Sequence, residues 1–139
     1  MIKNLVCLST ILVLTASATA GAVTMSAQGA KAYVISPKNG EVVTSPFTVQ
    51  FGLRAMGVAP AGVEKENTGH HHLLIDADAG ALDQPIAKDA QHMHFGGGQT
   101  ETALTLAPGK HTLQLLFADH AHIPHQPAIM SDKITIEVK

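Results

Sequence analysis

Cysteine is nearly missing from this chain. Its single copy, Cys7, falls inside the first apolar run. The rest of the chain therefore has no disulfide, no thiolate ligand and no cysteine nucleophile. An oxidising compartment is tolerated without being exploited. Tryptophan is absent, and tyrosine occurs once, at Tyr33, beside four phenylalanines. That supply is too thin for the stacking platforms that read sugars or bases. Charge is scarce too: 14% of residues are charged, with a formal net charge of -2. Such a balance carries no footprint for a phosphate backbone, so nucleic acid is not expected as a partner.

Several motifs are missing as well. Gly96-Gly97-Gly98 has no lysine after it and opens a strand, so it is a turn and not a phosphate loop. No Gly-x-Ser-x-Gly elbow is present. Asp76-Ala77-Asp78-Ala79-Gly80 lacks a third acid, and Ala87 stands where a calcium loop needs its closing glutamate. With no convincing general base or nucleophile, the chain reads as a binding protein and not as an enzyme.

What is present in excess is histidine. All nine copies lie between residues 70 and 125: His70, His71, His72, His92, His94, His111, His120, His122 and His125. Below the unperturbed imidazole pKa of ~6.5 they would swing the net charge strongly positive.

Residues 1–20 read as a secretory signal. Lys3 gives the positive start, Leu5 to Leu14 the apolar run, and Ala16-Ser17-Ala18 or Ala18-Thr19-Ala20 the small-residue cleavage site. The run is shorter than the roughly 20 residues of a membrane span, so no stable membrane anchor is expected after cleavage. The expected location is periplasmic or secreted. Residues 21–31 are small and polar and read as a flexible leader.

Residues 32–139 read as one domain. Phe47, Val49, Phe51 and Leu53 alternate with Thr48, Gln50, Gly52 and Arg54, the pattern of a half-buried strand. His111, Leu113, Leu115 and Phe117 share one face of a second strand, and Ile134, Ile136 and Val138 close a third. Pro37-Lys38-Asn39-Gly40 and Pro108-Gly109 are turn chemistry. Between Asp76 and His94 there is no sustained period, which suggests a long connection with one helical turn near Pro85. About seven short strands split by Gly/Pro turns predict an all-β fold, an immunoglobulin-like antiparallel β-sandwich.

His-x-His occurs at 70–72, 92–94 and 120–122. On a strand this spacing puts both rings on one face, about 7 Å apart at ~3.4 Å per residue, able to lean onto one ion. The candidate ligands are His70, His72, His92, His94, His120, His122 and His125. His71 faces away from its neighbours, and His111 belongs to another layer. Asp76 and Asp119 are candidates to accept the second N–H of a ligating ring. Imidazole suits copper, zinc, nickel and iron, and the thioethers of Met93 and Met130 would tilt the choice to copper over zinc. The alternative is a structural or interaction module of the cell envelope, with the histidines in a hydrogen-bonded, pH-responsive loop network and an envelope protein as partner.

Three runs then carry a resemblance. Gly69-His70-His71-His72-Leu73-Leu74-Ile75-Asp76, His94-Phe95-Gly96-Gly97-Gly98-Gln99-Thr100-Glu101 and Pro108-Gly109-Lys110-His111-Thr112-Leu113-Gln114-Leu115 are similar to the signature runs of the bacterial domain-of-unknown-function family 4399. His122-Ile123-Pro124-His125-Gln126-Pro127 continues the match, which spans roughly residues 47–138. The chain departs from the family pattern at Ala118 and Ala128, positions that bear on loop shape. The resemblance implies an exported domain and brings no activity with it.

Overall fold

A computed structural model describes residues 23–139; the expected signal at 1–20 lies outside them. Ten strands follow in order: β1 (Lys31–Ser36), β2 (Val42–Val43), β3 (Phe47–Arg54), β4 (Gly57–Val58), β5 (Thr68–Ile75), β6 (His92–His94), β7 (Glu101–Leu104), β8 (Gly109–Ala118), β9 (Pro124–Met130) and β10 (Ile134–Val138). No helix forms among the described residues, so the turn near Pro85 is a plain turn at residues 82–83 and not a helical one.

Two sheets face each other. The smaller has the order β1-β3-β7. The larger runs β2-β10-β8-β5-β4, with β6 also on β5 and β9 also on β8. Setting aside the two-residue strands and the side branches β6 and β9, the order β1-β3-β7 against β10-β8-β5 is that of an immunoglobulin-like sandwich. The long pairings are antiparallel; β2 with β10 and β4 with β5 are short parallel ladders. At the turn between β1 and β2, Gly40 takes φ +80, and Asn39 accepts from the Thr135 amide at 2.9 Å.

The core follows the period of two. Val49 and Phe51 from β3 meet Leu113, Leu115 and Phe117 from β8 and Ile136 and Val138 from β10, all nearly or fully buried. Each such side chain contributes roughly 1.5–3 kcal/mol by leaving water. Gly52 makes room on the outer face of β3 for the Tyr33 ring, which a Cβ there would push aside.

The large sheet has a second buried face. The connection after β5 folds back across it, and Leu82 and Ile86 pack on Leu74, Leu116 and Ala118. β5 is thus buried on both sides over Gly69 to Ile75. Histidines on its outer face are covered in place of being solvated.

The segment read as a flexible leader is tied down from Thr24 onward. Ser26 donates to the Gln126 carbonyl at 2.9 Å, and Gln126 donates to Thr24 at 2.9 Å.

Candidate metal centre

Successive residues of a strand point to opposite faces, and β5 divides its histidines accordingly. His71, Leu73 and Ile75 enter the core between the sheets, where the His71 ring lies 5.3 Å from Phe51 and 5.0 Å from Phe117. His70, His72 and Leu74 point outward. The pairing of β6 sets His94 opposite His72 and His92 opposite Leu74, and directly paired residues share a face. Met93 consequently points the other way, into the main core.

The fourth ring comes from the turn after β8. Asp119 accepts the Ala121 and Ile123 amides on one carboxylate oxygen at 2.9 and 3.0 Å, and its own amide donates to the Ile123 carbonyl at 2.9 Å. His122 ends the turn with φ +68, a left-handed conformation that costs an L-residue about 1–2 kcal/mol. Its carbonyl is held by the Ile86 amide at 3.0 Å.

These elements bring His70, His72, His94 and His122 together. Ring centroids are 4.9 Å apart for His70–His72, 5.0 Å for His70–His94 and His70–His122, 5.1 Å for His72–His94, 4.7 Å for His94–His122 and 6.1 Å for His72–His122. The Nε2 atoms of His70 and His72 are 3.1 Å apart, as are those of His94 and His122. One ring nitrogen each from His70, His94 and His122 lie within 4.8 Å of one another. Metal–imidazole bonds of about 2.0–2.1 Å separate neighbouring nitrogens by about 3.3 Å in a tetrahedron and about 2.9 Å in a square plane. The two 3.1 Å pairs fall between these values, and His70, His94 and His122 form a group that could hold a metal, with His72 beside His70.

The electrostatics favour free lone pairs. Burial, then the charges His122 and His94 would carry, pulls His70 down from 6.5 to about 4, with Asp119 opposing. Burial and then His70, His94 and His122 pull His72 to about 3. His94 is lowered by burial, then by His122 and Lys88. Rings that are neutral at physiological pH present little proton competition to a metal. Nδ1 of His70 and His72 has no hydrogen-bond partner among the described residues.

Gly96 seats His94. A Cβ there would lie 2.2 Å from His94 Cε1 and 2.7 Å from its Nε2. The glycine turn thus lets backbone approach the His94 ring closely.

The other candidate residues lie elsewhere. His92 has both nitrogens engaged, Nδ1 with Asp89 at 2.8 Å and Nε2 with the Asp78 carbonyl at 3.2 Å. His120 lines a surface cleft of ≈ 250 Å³ with Glu64, Lys65 and Glu66. His125 turns inward, stacks on Phe117 at 5.7 Å and meets the Thr68 carbonyl at 3.2 Å. Asp76 bonds His111 Nδ1 at 2.7 Å and the Thr112 amide at 2.7 Å, at the far end of β5, so it orients no ring of the cluster. Asp119 shapes the His122 turn and accepts the Thr24 hydroxyl at 2.7 Å; its carboxylate hydrogen-bonds no ring. Thr24 and the Ile86 clasp escaped the sequence reading, because neither carries a local signal: each acts through a contact distant along the chain.

Among curated proteins and among solved structures, no significant match to the chain is found. The family model described as Domain of unknown function (DUF4399) matches residues 49–139, a span that holds all four converging histidines. That is well over half of the sequence, and the chain belongs to this family.

Proposed function

We propose that this chain is an exported protein, periplasmic or secreted, that holds a transition-metal ion through His70, His72, His94 and His122. Its role would be binding, delivery or sequestration. The observation that carries the reading is the meeting of one ring nitrogen each from His70, His94 and His122 within 4.8 Å, with His72 Nε2 3.1 Å from His70 Nε2. Four protein donors fill the coordination of a four-coordinate ion and leave no open position for substrate, which argues against catalysis. Copper stands ahead of zinc on the Irving–Williams order of affinity. The thioethers add nothing to the preference for copper, since Met93 faces the core and Met130 packs in the second apolar cluster. Export rests on the pattern of residues 1–20.

The second reading, a structural or interaction module, has one observation in its favour. Each Nε2–Nε2 contact also has the length of a hydrogen bond between two rings of complementary tautomer, one donating and one accepting. A pH response between 6 and 7 is not supported at His70 and His72, whose titration lies near 4 and below.

The test is elemental analysis of the mature protein purified without a His-tag, followed by calorimetric titration with Cu(II), Cu(I) and Zn(II). One equivalent bound at sub-micromolar affinity supports the metal reading and selects the ion. Binding no tighter than that of a His70→Ala/His72→Ala variant overturns it and leaves the hydrogen-bonded network.

A further inference from the structure

Thr24 is far from the histidines in sequence, yet it is one bond from the carboxylate that builds their fourth member. Its hydroxyl donates to Asp119 Oδ2 at 2.7 Å. The other oxygen, Oδ1, gathers the Ala121 and Ile123 amides, and the His122 amide closes the turn on the Asp119 carbonyl at 3.0 Å. Asp119 is 3% exposed. Burial pushes its carboxyl up, but the Thr24 hydroxyl and the Ile123 and Ala121 amides outweigh this and hold it below the ordinary carboxylate range. The turn they shape carries His122 in a left-handed conformation that it would not hold unaided.

The same N-terminal segment is docked by backbone. Met25 bridges Gln126 in parallel, Ser26 donates to Gln126, and Gln126 donates to Thr24. Gln126 belongs to β9, the strand that leaves the His122 turn. Segment 24–26 therefore braces both the carboxylate inside the turn and the strand that follows it.

We infer that docking of Thr24–Ser26 on Asp119 and Gln126 regulates the four-histidine centre, by fixing His122 where it completes the donor set. The inference rests on the metal reading proposed above. Thr24 and Asp119 are positioning residues, acting on the ion through His122. Linkage makes the coupling reciprocal: a bound ion that fixes His122 must also tighten the docking of the segment.

The experiment pairs Zn(II) and Cu(II) titrations with amide hydrogen exchange on the full mature chain. Thr24→Val keeps the shape and removes the hydroxyl; Thr24→Ser keeps the hydroxyl. Thr24→Val is expected to bind metal about tenfold more weakly, the worth of one hydrogen bond to a charged group, and Thr24→Ser to restore it. In the wild type, metal is expected to slow exchange of the Ser26 and Gln126 amides, a readout that needs no variant to fold. Equal affinity for wild type and Thr24→Val, with exchange at both amides unchanged by metal, overturns the coupling while leaving the metal centre standing. A wild-type chain that binds neither ion overturns both.

Discussion

The Nε2 atoms of His70 and His72 stand 3.1 Å apart, although their residues are two positions apart on a strand. Side chains at that spacing leave the backbone about 7 Å apart, so both rings lean toward a common point. His94 and His122 form a matching pair from other elements, and one ring nitrogen each from His70, His94 and His122 lie within 4.8 Å of one another.

Removing donors should separate the four converging rings from the rest. His72→Ala or His122→Ala is expected to weaken metal binding by more than about 100-fold, beyond the 10–100-fold typical of supporting residues. His92→Ala and His120→Ala should leave affinity unchanged, since neither ring joins the group. Calorimetric titration of the four variants decides it.

Gly96→Ala should spare the fold and damage the site. The added Cβ would lie 2.2 Å from the His94 ring, which can swing aside because it is a side-chain end. Metal affinity is expected to fall at least about tenfold, with a change in metal-free stability below about 1 kcal/mol. Titration and urea denaturation of the same preparation check both halves.

Acid should destabilise the metal-free protein through its buried rings. Burial alone lowers His71 to about 4, against about 6.5 in the unfolded chain. Below pH 6.5 the unfolded chain takes up protons that the folded one refuses, so stability falls as pH drops toward 4, by up to about 1.4 kcal/mol per pH unit for each such ring. Both His71 nitrogens are buried without partners. His71→Leu is expected to raise stability by about 1–3 kcal/mol and flatten the acid slope. Denaturant midpoints between pH 4 and 7, with chelator present, test this.

His111 should show the opposite dependence. The Asp76 hydrogen bond, and then the Ala107 carbonyl, raise its pKa above 6.5 against a small burial effect. A raised folded pKa gives stability that is complete below the unfolded pKa and lost as pH rises through the folded one. His111→Gln should therefore lag the wild type at pH 6 and draw nearer by pH 8. The pair is partly exposed, so the difference should stay under about 1 kcal/mol. Thermal melts across that range measure it.

The long strands were legible because their residues obey one rule. β3, β8 and β10 alternate apolar and polar residues, and the faces assigned to Val49, Phe51, Leu113, Leu115 and Phe117 are those the core uses. β6 and β9 were not. β6 is three residues long and exists because β5 offers it a ladder, and β9 carries Pro124 and Pro127, which suit an edge better than an interior strand. The His-x-His pattern was fully informative only at 70–72, on a true strand with its outer face covered. At 92–94 the outer face is shared, but His92 is drawn off by Asp89. At 120–122 the residues form a turn, where alternation has no meaning, and the left-handed backbone of His122 aims its ring alone. The cover over Leu74, Leu116 and Ala118 on the same face comes from the stretch with no period at all.

With an ion bound as proposed, three consecutive histidines on β5 would make the centre a proofreader of strand register. A slip of one residue would exchange the faces, presenting His71 alone outside and forcing two imidazoles into the apolar core. An ion that needs two donors from this strand can bind only the correct pairing of β5 with β8. Metal uptake would thus select the native alignment during folding, and a misaligned chain would be recognisable by its failure to load.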